Sequence, residues 1–146
     1  MREIAPPRQL HRSVALLIMT KLTRTAAFAR FGAELRNHQW ACSSIARDGS
    51  MVITCWRHKL KSYVDGHQRY EERLSEWHNP HGRELIRQHL QLAFDDKLNV
   101  RQIVVTLDDP RDPIATTSPK TYSTTDMVGK VVSFDGDAYV IDFYPD

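Results

Sequence analysis

The sequence predicts an α+β domain, an antiparallel or mixed sheet of about five strands (two hairpins plus a central strand) with two helices packed on it. Asp48-Gly49 and Asp135-Gly136 each lie between strand-like stretches, and Asp-Gly supplies the positive φ that tight hairpin turns require. Val100 to Leu107, "VRQIVVTL", carries the apolar run of a strand in the middle of a sheet. The resulting order is helix, hairpin, basic segment, helix, strand, loop, hairpin, which departs from the strand-helix alternation of a doubly wound fold.

Taken in order, residues 20–37 have helical spacing, with Thr20 or Thr23 as cap, Ala27, Phe28, Phe31 and Leu35 on one side, and Asn37 at the end. Residues 39–46 and 50–56 form the first hairpin. A two-residue loop sets Cys42 across from Cys55, whereas a three-residue loop sets Trp40 across from Trp56. The segment 57–78 is polar and basic with no clean period, apart from a short helix between Glu71 and Trp77. Asn79-Pro80 is a cap and first-turn pair for a second helix that buries Ile86, Leu90 and Ala93, helped by Leu85 and Phe94. Residues 108–125, with three prolines and many hydroxyls, read as a loop, and 129–144 as the second hairpin.

A chain of 146 residues is the size of one domain and buries about 70% of its unfolded surface. Residues 19–146 are expected to form that domain, with 1–18 a flexible N-terminal arm or extension. The short apolar run Ser13 to Met19 is far below the ~18 residues of a membrane span, and Lys21 and Arg24 follow it at once. Two cysteines make no disulfide framework, which points to thiols in a reduced, cytoplasmic setting. The formal charge of +2 divides unevenly into +5 over residues 1–38, +2 over 39–93 and −5 over 94–146. A basic front of this kind suits a polyanionic partner.

Catalytic signatures are thin. His78 and His81 have metal-ligand spacing without helper ligands, since Cys42 and Cys55 stand thirteen apart and unpaired. "WHNPHGRELIRQH" has the letters of a histidine-asparagine-histidine nuclease but follows a polar stretch instead of a strand. Asp108 and Asp109 end a strand as nuclease acids do, with no acid and lysine on a neighbouring strand to complete a metal site. His58 is three residues from Cys55, on the opposite face of an extended chain. Glycine-rich phosphate loops are absent. Neither a cofactor nor a metal is expected. A metal-dependent nuclease using His58, His78, His81 and Asp108 ranks below two binding readings.

The leading reading is a non-catalytic nucleic-acid-binding module, with DNA favoured. Arg57, Lys59, Lys61, Arg69 and Arg73 directly follow the tryptophan-bearing strand and would neutralise phosphates. Trp40, Tyr63 or Tyr70 would stack a base, each such contact worth about 1–3 kcal/mol. The alternative is a protein-binding accessory or inhibitor that docks through its acidic half or a hairpin edge.

Asn37, Trp40 and Ala41, the strand end Ile53-Thr54-x-Trp56, then Trp77 and the helix to Ala93 resemble a group of small bacterial proteins over about residues 20–143. Their layout is similar to modules that precede HNH restriction endonucleases and recognise modified DNA. The resemblance implies nucleic-acid recognition in a restriction, defence or mobile-element context. Where that pattern often has Trp-Ser-Trp, this chain has Trp40-Ala41-Cys42.

Overall fold

The computed structural model describes residues 22–77, 79–107 and 120–146; the expected arm, 1–18, lies outside them. Helix α1, Arg24–Arg30, starts at Thr23, whose hydroxyl accepts the Ala26 N–H. It is shorter than the spacing predicts. Gly32, at φ +72°, adopts the left-handed conformation that closes a helix, and Leu35 is buried from irregular chain beyond it. Asn37 instead accepts the N–H groups of Gln39 and Trp40 in a turn.

Strands β1, Ser43–Ile45, and β2, Met51–Trp56, pair with Ile45 opposite Met51. Ala46 N donates to Ser50 O across a three-residue loop. This is the longer-loop register, but β1 begins only at Ser43, so Trp40 stands ahead of the ladder. Cys42 accordingly meets Thr54, whose N–H donates to its carbonyl at 3.2 Å.

The basic segment is not irregular. After a 3₁₀ turn, Arg57–Lys59, it forms β3, Leu60–Ser62, and β4, Gln68–Arg73, joined through Asp65-Gly66 with Gly66 at φ +87°. A second 3₁₀ turn, Leu74–Glu76, stands where the short helix is expected. Helix α2, Pro80–Asp95, is capped by Asn79 and buries Leu85, Ile86, Leu90 and Ala93, while Phe94 is exposed. Strand β5 is Val100–Leu107. Strand β6, Lys120–Phe134, takes in residues 120–125 of the expected loop, because hydroxyl-rich Thr121 to Thr124 pairs with Ile103 to Thr106 of β5. Strand β7, Ala138–Pro145, completes the second hairpin.

The seven strands form one mixed sheet in the order β1-β2-β5-β6-β7-β4-β3, parallel only between β2 and β5. The two strands beyond the expected five are β3 and β4. The sheet curls: Gln102 on β5 donates to Gln68 on β4 at 3.0 Å, although two strands separate them in the ladder. Register shifts after Arg101 in β5 and after Val131 in β6 supply local bends. Inside the curl, Met51, Ile53 and Cys55 pack with Ile86, Leu90, Tyr139, Ile141 and Phe143. The alternate face of β2 and β5, through Val52 and Ile103, packs with Ala27, Phe28, Leu35 and Ala41. Among the described residues no helix is long and apolar enough to cross a membrane.

His89 on α2 lies with Nδ1 2.7 Å from Ser43 Oγ, and burial, with a smaller effect of Arg36, lowers its pKa to about 4. The unfolded chain therefore takes up a proton near pH 6.5 that the folded chain refuses until about pH 4. Stability should fall as pH drops through that window, by about 2 kcal/mol or less because the ring is partly solvated. Denaturant unfolding between pH 7 and 4 should show the slope, and His89→Gln should flatten it.

Candidate functional site, a tryptophan-lined cavity

All three tryptophans line one cavity of about 370 Å³, a size typical of ligand pockets, at the carboxyl ends of the parallel strands β2 and β5. They arrive from separate segments: Trp40 from the turn before β1, Trp56 from the end of β2, and Trp77 from the stretch before α2. Gly82, in the first turn of α2, lets Trp40 approach. A Cβ there would lie 2.9 Å from the Trp40 carbonyl oxygen, a clash with backbone. His81 sits against Trp40 with ring centroids 5.7 Å apart, and His58 against Trp56 at 5.8 Å.

The polar side of the cavity centres on Glu72 of β4. Glu72 shares the inward face with Tyr70 because the β4–β7 register sets Tyr70 opposite Ile141 and Glu72 opposite Tyr139. Its Oε1 accepts from the hydroxyls of Tyr70, at 2.7 Å, and Tyr139, at 3.0 Å, while Oε2 accepts from Lys59 Nζ at 3.0 Å. A carboxylate has about four acceptor positions, so one remains on Oε2. Tyr70 Oη also accepts the Trp56 N–H at 3.1 Å, tying the end of β2 to β4 across the curl. Burial raises the pKa values of Tyr70 and Tyr139 well above the ordinary phenol value, so both stay protonated donors. Trp77 Nε1 is buried and has no acceptor among the described residues. The cavity thus offers aromatic faces and an acceptor.

Cys42 and Thr54 form another part of the lining. Burial raises the Cys42 thiol, against the opposing pull of Arg24, and raises Cys55 further. Both are neutral thiols near pH 7, which deprives a cysteine-nucleophile reading of its thiolate. Arg24 Nη1 lies 3.8 Å from Cys42 Sγ, and Nη2 donates to the His38 carbonyl.

The residues picked out from sequence are dispersed by the fold. Trp40 and Lys59 line the cavity, and Arg57 is exposed in the turn between Trp56 and Lys59. Lys61 lies 3.9 Å from Glu71. Arg69 grips Asp142 through both oxygens, at 2.7 and 2.8 Å, and this contact holds the Asp142 carboxyl below its usual range. Arg73 pairs with Asp137 at 3.2 Å. Tyr70 is fully buried and offers no stacking face. Tyr63 is at the far tip of the β3–β4 hairpin, stacked on His67, which stacks on Tyr144. Among the described residues no group of three or more His, Cys, Asp and Glu could hold a metal ion. His78, Asp108 and Asp109 lie outside those residues.

Sequence reasoning missed Glu72, Arg24 and the role of Trp77. For Glu72 the alternation Gln68-Tyr70-Glu72 after Asp65-Gly66 is a usable signal, hidden because the inward face of that strand is polar.

Compared with family models, curated proteins and solved structures, the chain finds no match. The fold and cavity define a class by their physics alone: a curled mixed-sheet α+β domain with a tryptophan-lined cavity beside a buried carboxylate.

Removing that carboxylate leaves two buried tyrosine hydroxyls without their acceptor and the Lys59 ammonium with only Glu76, 3.4 Å away. Glu72→Ala should cost about 2–4 kcal/mol in denaturant unfolding. Glu72→Gln, which keeps one acceptor oxygen, should cost less.

Proposed function

We propose that this domain is a nucleic-acid-binding module that seats an unpaired or flipped base in the tryptophan cavity. The observation that carries the reading is the convergence of three indoles, one free carboxylate acceptor and the cations Lys59 and Arg24 on a single cavity. Indole faces stack any base, and a carboxylate accepts from the N–H groups on base edges. Arg24 lines the cavity and exposed Arg57 directly follows Trp56, so positive charge adjoins the aromatic surface and is offered to the phosphates that flank the seated base. No covalent step is part of the proposal. The restriction or defence context implied by the sequence resemblance is in keeping with recognition of an extruded base.

A second reading is favoured by one observation, the pairing of indoles with the Glu72 carboxylate. Such a lining also attracts an organic cation, for which a desolvated cation-π contact is worth about 2 kcal/mol.

Fluorescence anisotropy with labelled single-stranded DNA, fully paired duplex, and duplex carrying one unpaired base tests both. Binding should be salt-sensitive and tightest where a base is available. Trp56→Ala and Trp40→Ala should each weaken it about 5- to 100-fold, the equivalent of one lost stack. Absence of salt-sensitive binding to every probe ends the proposal, and binding of tetramethylammonium in its place would establish the second reading.

A further inference from the structure

We infer that the phosphate backbone of the bound nucleic acid runs along α1 to the arginines at its carboxyl end, Arg30 on the helix and Arg47 and Arg101 beside Phe31-Gly32, and not along the basic β3–β4 segment. This rests on the nucleic-acid reading above and adds to it the surface that holds the polyanion.

The β3–β4 cations are largely spoken for. Lys59, Lys61, Arg69 and Arg73 each have a carboxylate partner within the fold. The guanidiniums around the carboxyl end of α1 form no ion pair among the described residues. Arg47 N donates to Gly32 O at 3.1 Å, and its Nη2 lies 3.3 Å from the point a Gly32 Cβ would occupy. Arg101, paired opposite Val52 in the β2–β5 register, lays its guanidinium over the Phe31 ring at 5.0 Å. Arg30, exposed, immediately precedes Phe31. Arg47 and Arg101 therefore meet at Phe31-Gly32, and Arg30 stands one residue before that point at the end of α1.

Among the described residues, few acids stand near these arginines. Asp48 accepts the Ser50 N–H, the main cause of its lowered pKa, with Arg101 contributing less, and Glu34 is exposed. Arg101 Nε is buried and has no acceptor among the described residues. Arg47 and Arg101, held on adjoining residues with so little counter-charge, repel one another, and an anion between them relieves that repulsion. The five N–H donors of each guanidinium match phosphate oxygens.

The distance is also suitable. The seven residues of α1 rise about 10 Å, with Arg24 at the cavity and Arg30 at the far end, next to Phe31. That is the axial rise of about three nucleotides of one DNA strand. A strand with one base in the tryptophan cavity thus brings a phosphate a few nucleotides away onto the arginines at that end.

The test is the salt dependence of anisotropy with a labelled single-stranded oligonucleotide, for the wild type, Arg30→Ala/Arg47→Ala, Arg101→Gln, Trp56→Ala, and Arg87→Ala as a cation control on α2. Arg30 and Arg47 are exposed, so their replacement leaves the core intact. The double variant should bind at least tenfold more weakly at low salt. Its slope of log K against log salt should be shallower by about 0.7 for each arginine removed. Arg101→Gln should weaken binding in the same direction, and Arg87→Ala should leave affinity and slope unchanged. If the double variant keeps the wild-type slope while Trp56→Ala loses affinity, the arginine track is wrong and base seating stands. If the double variant loses affinity while Trp56→Ala does not, the track stands and base seating is wrong. A wild type that binds no oligonucleotide overturns both.

Discussion

The buried Glu72 carboxylate, accepting from two tyrosine hydroxyls and one ammonium, is the constraint on which the rest of the structure turns. An isolated buried carboxylate costs several kcal/mol, and here each contact offsets part of that cost. The same contacts fix geometry. Tyr70 receives the Trp56 N–H and donates to Glu72, while Tyr139 reaches the same oxygen from β7, so strands separated in the ladder are bound through one group. Gln102 and Gln68 form a second brace across the curl, with Thr125 donating to Gln102 Oε1. Two polar bridges of this kind keep the sheet rolled over its apolar core.

The cavity follows from that rolling. β2 passes through a three-residue turn to β3, yet these strands are second and last in the sheet order, with four strands between them. Only a curled sheet lets so short a connection join them, and the opening beside it is where Trp56, Lys59 and Glu72 meet. Trp40 closes another side because Gly82 removes the Cβ that would push its backbone away. The asparagine cap of α2 adds to the lining next to Trp77. Local rules, a cap and a missing side chain, thereby shape a feature assembled from distant parts of the chain.

Much of this was legible in the sequence where local chemistry dominates. Asn79-Pro80 and the apolar spacing of α2, the run in β5 and two Asp-Gly turns each announce their element. What escaped detection depends on tertiary context. β4 turns a Gln-Tyr-Glu face inward, so its alternation does not read as apolar against polar. Leu35 continues a helical spacing after Gly32 has ended the helix. The basic run at 57–73 looks free in sequence, but Arg69 meets Asp142 from seventy-three residues away and Arg73 meets Asp137 across the sheet. Cross-strand neutralisation is invisible until strand order is known. Trp40 and Trp56 flank the first hairpin in sequence, and the three-residue-loop register that sets them opposite is the one observed, although its ladder begins at Ser43, beyond Trp40.

Because every indole of the protein borders the same cavity, intrinsic tryptophan emission followed during an oligonucleotide titration is the most direct measurement of where the ligand sits. A base seated between the indoles requires that most of the emission be quenched, with saturation at the same concentration as the anisotropy. Full binding by anisotropy with unaltered emission would place the nucleic acid elsewhere and contradict the cavity's role.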